Sequence, residues 1–139
     1  MEYTRFGDRV VVRLDRGDEI VEMLKAVARK EKIACGVITG IGATDVFSVG
    51  VFDLNQKKYN VFEYTDNHEI NALTGNVTTM NGETYLHVHI TCTNGKGQVV
   101  GGHLLSGVIS LTGEIIIDII DGRVERKRDE ELGINRLAF

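Results

Sequence analysis

The chain has 139 residues, 42% of them apolar and 26% charged, with a net charge of −4. That length buries the core of one ordinary domain without disulfide or metal staples, and the composition excludes a disordered chain. Its positive charges are scattered rather than massed, which argues against a surface built to neutralise several phosphates.

In chain order, a first strand is predicted at Arg9 to Leu14, where Val10, Val11 and Val12 precede the turn-like Asp15-Arg16-Gly17-Asp18. A helix follows, because Ile20, Met23, Leu24 and Val27 recur at helical spacing; Asp15 or Asp18 is expected to cap its first turn, and Lys30 and Lys32 suit its negative end. The remaining segments are short, β-branched and bounded by glycine: Cys35 to Thr39, Asp45 to Asp53, Lys58 to Tyr64, Glu69 to Thr79, Tyr85 to Thr93, Gln98 to Leu105 and Glu114 to Asp121. Asn55-Gln56 and Asn94-Gly95 read as hairpin turns. Strands that do not alternate with helices predict an α+β fold, a mostly antiparallel β-sheet of about seven or eight strands with one main N-terminal helix packed on it. With no proline, linker or repeat to divide it, the sequence reads as one domain over residues 1–139, in which 122–139 form a charged then apolar tail.

The chemistry concentrates in His87-Val88-His89. On the strand Tyr85 to Thr93, Leu86, Val88, Ile90 and Cys92 form an apolar face, while Tyr85, His87, His89 and Thr91 form the other. His87 and His89 are thus roughly 6.6 Å apart along the strand, and both rings can converge on one ion with zinc–nitrogen bonds of about 2.0–2.1 Å. Gly101-Gly102-His103 supplies a third candidate ligand. A two-residue Asn94-Gly95 turn would send His103 to the wrong face, opposite Leu86. An odd loop, or a bulge at Gly101-Gly102, is therefore expected between Thr93 and His103, bringing His103 across from His87.

Three histidines and a water would make an open zinc site able to act as a Lewis acid. Hydrolysis there would need a general base, for which Glu114, Asp53 and Glu63 are the carboxylates on offer; no catalytic residue is assigned. The same alternation also suits histidines that face solvent or a subunit interface and hold nothing. His68, in the polar Thr65-Asp66-Asn67-His68, reads as an exposed loop residue.

Other signals are weaker. Gly40-Ile41-Gly42-Ala43 begins like a dinucleotide fingerprint, but β-branched residues follow it instead of a helix, so the glycines read as permitting close backbone packing. Arg123, Arg126, Lys127 and Arg128 are interleaved with Glu125, Asp129, Glu130 and Glu131, which predicts a solvated, salt-bridged segment before an apolar end that docks on this subunit or a neighbour. No Gly-x-Ser-x-Gly elbow supports a serine hydrolase. Cys35 and Cys92 lack Cys-x-x-Cys spacing and sit in apolar segments, as buried free thiols do. The longest apolar run, Ile115 to Ile120, is interrupted by Asp118 and too short to span a bilayer, and Met1-Glu2-Tyr3-Thr4-Arg5 does not open like a signal peptide; a cytoplasmic address is expected.

Gly40-Ile41-Gly42-Ala43, Gly50-Val51-Phe52-Asp53, Leu73-Thr74-Gly75-Asn76, Leu86-His87-Val88-His89 and Gly101-Gly102-His103-Leu104, in that order and spacing, resemble the plants-and-prokaryotes-conserved (PPC) domain. The resemblance covers nearly the whole chain. It implies a compact α+β domain assembled as a homotrimer, with a transition metal such as zinc at His87, His89 and His103. Plant relatives carry an AT-hook, an Arg-Gly-Arg-Pro segment that enters the minor groove; this sequence contains no proline and no basic arm before Arg9, so that element of DNA readout is missing from it. Three readings follow: a metal-binding trimer, a non-catalytic protein-interaction module that works beside DNA-bound partners, and, ranked last, direct binding of nucleic acid.

Overall fold

A computed structural model describes residues Met1–Phe139. Nine strands and one helix follow in the order β1 (Glu2–Phe6), β2 (Arg9–Asp15), α1 (Ile20–Lys30), β3 (Gly36–Asp53), β4 (Lys58–Tyr64), β5 (His68–Met80), β6 (Glu83–Asn94), β7 (Val99–Ile119), β8 (Glu125–Asp129) and β9 (Ile134–Ala138). All belong to one sheet, antiparallel throughout except for a single parallel bridge between Thr79 of β5 and Glu125 of β8. The α+β architecture predicted from the sequence is present, with nine strands rather than seven or eight.

Three differences have physical causes. A strand, β1, precedes the predicted first one and pairs with β2 through a turn at Gly7, whose φ of 59° suits glycine. Charged Glu2 and Arg5 and an almost fully solvated surface hide it from a hydrophobic pattern. The segments predicted as Cys35 to Thr39 and Asp45 to Asp53 are one 18-residue strand, and Gln98 to Leu105 and Glu114 to Asp121 are likewise one strand of 21 residues. Between these two long strands the register shifts at Gly42/Thr44, Thr44/Val46 and Ser48/Val49, and such irregularities bend a strand without ending it.

The bends let each long strand serve two neighbourhoods. The first half of β3 pairs with β5 and with the second half of β7, while its second half pairs with β4 and with the first half of β7. Because β5 pairs with β6, and β6 with the first half of β7, strands β3, β5, β6 and β7 form a closed circuit of pairing. Gly40 and Gly42 permit the close approach. A Cβ at Gly42 would lie 2.4 Å from the Thr112 carbonyl oxygen, and one at Gly40 would lie 2.7 Å from Ile115 Cγ1.

Helix α1 covers the open face of this sheet. An 11-residue helix is marginal alone, so it depends on Ile20, Leu24, Val27 and Ala28, which are buried among Val10, Val12, Leu14, Phe47 and Ile117. Its cap is Glu19 rather than either aspartate: one carboxylate oxygen accepts from the Glu22 amide at 2.6 Å and the other from the Gly107 amide of β7 at 2.9 Å. Asp18 instead accepts from the backbone of Asp15. Cys35 and Cys92 are buried free thiols, and burial pushes the Cys92 thiol up to about 12. No helix is long and apolar enough to cross a membrane.

The C-terminal segment is salt-bridged and largely solvated, Phe139 fully so, but it is strand and not a free tail. β8 and β9 form a hairpin that docks on β5, where the Thr79 amide donates to the Val124 carbonyl at 2.9 Å. Arg123–Glu125 and Arg136–Asp129 pairs follow the interleaved charges, but Arg126 points inward and is only 6% exposed. Alternation along a docked strand, not the local charge balance, decides which of these residues is buried.

Candidate metal centre

Strand β6 places Val88, Ile90 and Cys92 in the core, so His87 and His89 project from the opposite face. The connection from β6 to β7 decides where His103 lands. Asn94 pairs with Gln98 across a three-residue loop, Gly95-Lys96-Gly97, and the Asn94 side-chain oxygen accepts from the amides of Lys96 and Gln98. The expected odd loop is there, with no bulge at Gly101-Gly102, and His103 falls opposite His89 rather than His87. The difference of two residues leaves His103 on the same face.

The three imidazoles share one site. Ring centroids are 5.1 Å apart for His87–His89, 5.1 Å for His87–His103 and 5.5 Å for His89–His103. One ligand atom from each lies within 4.8 Å of the others. His87 Nε2 and His89 Nε2 are 3.2 Å apart, close to the roughly 3.3 Å between two nitrogens bound tetrahedrally to zinc. His103 Nδ1 is buried with no hydrogen-bond partner. Buried polar nitrogens are rarely left so, and the donor set fits a divalent transition metal.

Burial pushes the His103 imidazole down to about 4, helped by His87 and His89. Burial also lowers His87, with the positive charge of Arg126 and then His89 adding to it. Both rings are therefore neutral at pH 7, as metal ligands must be. The same shift has a consequence for folding. An unfolded chain protonates this residue near 6.5, whereas the folded chain does so only near 4, so the associated stability is complete above 6.5 and is lost as pH falls toward 4. Chelator-treated protein is expected to show falling urea midpoints through that window, and the fall should be shallower in His103→Gln.

Aromatic and basic residues complete the surroundings. Tyr59 of β4 stacks on His103 at 5.0 Å between ring centroids, lying over Gly50, where a Cβ would come 2.6 Å from Tyr59 Cδ1. A cleft of about 170 Å³ opens beside the histidines, lined by Tyr59, Tyr85, His87, His103, Arg126, Arg128 and the Gly133-Ile134-Asn135 turn into β9. None of Glu114, Asp53 or Glu63 lines it. Asp53 instead accepts from the amides of Asn55 and Gln56, closing the β3–β4 turn, and Glu114 faces Arg13 across β2 and β7. His68 lies elsewhere and is buried, not exposed: it opens β5 with its ring edge-on to Phe47 at 5.0 Å and Nδ1 2.7 Å from the Asp66 carbonyl. The polar turn ends one residue before it.

Sequence reasoning passed over Tyr59, Tyr85 and Arg126. For Tyr85 the signal was present, two residues before His87 on the same face of β6. For Arg126 only the alternation of β8 carried it.

Residues 1–121 match the Plants and Prokaryotes Conserved (PCC) domain. The chain belongs to this family. Among solved structures, a Bacteroides thetaiotaomicron protein described as a candidate DNA-binding protein is 33% identical, with a TM-score of 0.96 over 99% of this chain and 96% of that one. A plant- and prokaryote-conserved (PPC) protein of Pyrococcus horikoshii is 28% identical, with a TM-score of 0.87 over 99% and 94%. A metal-containing protein of Archaeoglobus fulgidus is 27% identical, with a TM-score of 0.88 over 99% and 97%. The bifunctional protein GlmU of Synechococcus sp. is 28% identical, covering 88% of this chain; the chain spans 18% of that protein's length. Stand-alone prokaryotic members of the PCC family thus share this fold from end to end.

Proposed function

We propose that this PCC-domain protein binds a divalent transition metal, zinc, through His87, His89 and His103, and presents it to a small ligand. The observation that carries the reading is the convergence of three imidazoles with ligand atoms within 4.8 Å, one of them holding an unpartnered buried nitrogen. The metal-containing relative from Archaeoglobus supports it. Bound there, zinc supplies Lewis acidity and activates a coordinated water. The residues of the chain fix the three donors on paired strands, shield one side of them with Tyr59, and set Arg126 beside them. No Asp or Glu lines the cleft, so ligand binding, not hydrolysis, is the reading the single chain supports.

The metal-bearing protein is proposed to be a homotrimer. Val11, Ile41 and Ile116 lie exposed along a groove of about 490 Å³ on the sheet, and a contiguous apolar surface of this kind marks an association site. Two free cysteines suit a reducing compartment, and the cytoplasm is the proposed location. A second reading, a non-catalytic interaction module beside DNA-bound partners, draws on the candidate DNA-binding relative from Bacteroides. Direct contact with DNA is disfavoured by the net charge of −4.

Elemental analysis of protein purified without a polyhistidine tag is expected to find one zinc per chain, and light scattering a mass three times 15.4 kDa. Protein that takes up no transition metal when offered one would leave only the interaction reading.

A further inference from the structure

Arg126 is a buried cation without a counter-ion. Its Nε donates to Thr78 Oγ1 at 2.9 Å, one terminal nitrogen to the Asn135 carbonyl at 2.8 Å and the other to Asn76 Oδ1 at 2.9 Å, while its plane lies over the Tyr85 ring at 4.9 Å. All of these partners are neutral. They satisfy N–H groups but leave a full positive charge in a buried place, where charges are normally paired.

The chain does not lack carboxylates nearby. Glu125 pairs with Arg123, Asp129 with Arg136, and Glu130 reaches only Arg128, at 3.8 Å. None is given to Arg126. Arg128 lines the same cleft, and no Asp or Glu does. In a protein with a net charge of −4 this is a local positive concavity. An arginine fixed by its neighbours with its charge left free is an anion receptor built in advance.

We propose that the cleft between His87, His103 and the C-terminal hairpin binds a small carboxylate, whose charge Arg126 receives. The volume of about 170 Å³ falls below the ~300 Å³ of sites for drug-sized ligands, so the ligand has few atoms. A buried guanidinium held over the Tyr85 ring, in a cleft that Tyr59 also lines, fits a planar carboxylate with an apolar flank better than a tetrahedral phosphate. The inference rests on the metal-centre reading for the ligand's neighbour in the cleft, and on Arg126 alone for its charge.

Titration calorimetry with malonate, its neutral diamide and inorganic phosphate, on zinc-loaded and metal-free protein, tests this. Malonate is expected to bind both forms and the diamide neither, and Arg126→Gln should weaken malonate by about tenfold or more with zinc content unchanged. Because Arg126 also anchors the hairpin, the wild-type protein supplies a second readout: with 15N-labelled arginine, the Nε–H resonance that is lost in Arg126→Lys should shift on adding malonate. Malonate affinity equal in wild type and Arg126→Gln, an unmoved resonance, or phosphate bound more tightly than malonate each overturns the proposal. Malonate bound only with zinc, and insensitive to Arg126→Gln, overturns it while sparing the metal centre. Malonate bound through Arg126 in protein that takes up no zinc does the reverse.

Discussion

Replacing His103 with alanine is expected to abolish stable metal binding and leave the fold intact. The variant keeps His87 and His89, whose Nε2 atoms lie 3.2 Å apart on one strand, but two imidazoles with open positions do not hold zinc against a chelator. The affinity lost should exceed the ~10–100-fold that follows removal of a partner merely supporting a ligand. His103 projects away from the core, so alanine loses the stacking with Tyr59 but no packing of the apolar core. Metal content after dialysis against a competing chelator measures the effect, and circular dichroism checks the fold. Zinc should raise the melting temperature of the wild type and not that of the variant. A folded His103→Ala protein carrying wild-type zinc would refute the three-histidine centre.

Gly75→Ala should be the most damaging one-methyl change in the chain. Gly75 faces Val88 across β5 and β6, and a Cβ there would lie 2.1 Å from the carbonyl oxygen of His87 and 2.8 Å from the Val88 Cα. Those atoms belong to backbone held in a paired sheet, so no side chain can swing aside. The expected loss is at or above the top of the ~1–3 kcal/mol typical of overpacking, read from urea midpoints. Metal affinity should fall as well, since the peptide that must shift carries His87. Gly95→Ala is the matched control. It has nothing within 4 Å and should change stability by no more than about 0.5 kcal/mol. Equal stability losses in the two variants would show that the close approach at Gly75 relaxes freely.

The histidine arrangement was legible because it depends on two short-range rules. Alternation along β6 puts His87 and His89 on one face, and the parity of the β6–β7 loop decides whether His103 joins them. The exact partner was not legible, because a loop of the same length set one residue later shifts the register by two and leaves His103 on the same face. The long strands were hidden by their glycines, which end a strand in some settings and bend one in others. His68 was misread because a polar turn says nothing about the first residue after it. Arg126 was misread for a related reason. Its neighbours in sequence are charged and solvated, and only docking of β8 against β5 turns this one side chain inward.

From His89 to Thr93 strand β6 is flanked on both sides, by β5 and by the first half of β7, and the β6–β7 ladder ends at the His89–His103 pair. His89 and His103 are thus each held from both sides, whereas His87 has a paired neighbour only in β5. Amide hydrogens of Ile90 to Cys92 should exchange with solvent only when the entire domain opens, while smaller openings expose His87, so the site loosens from that end first.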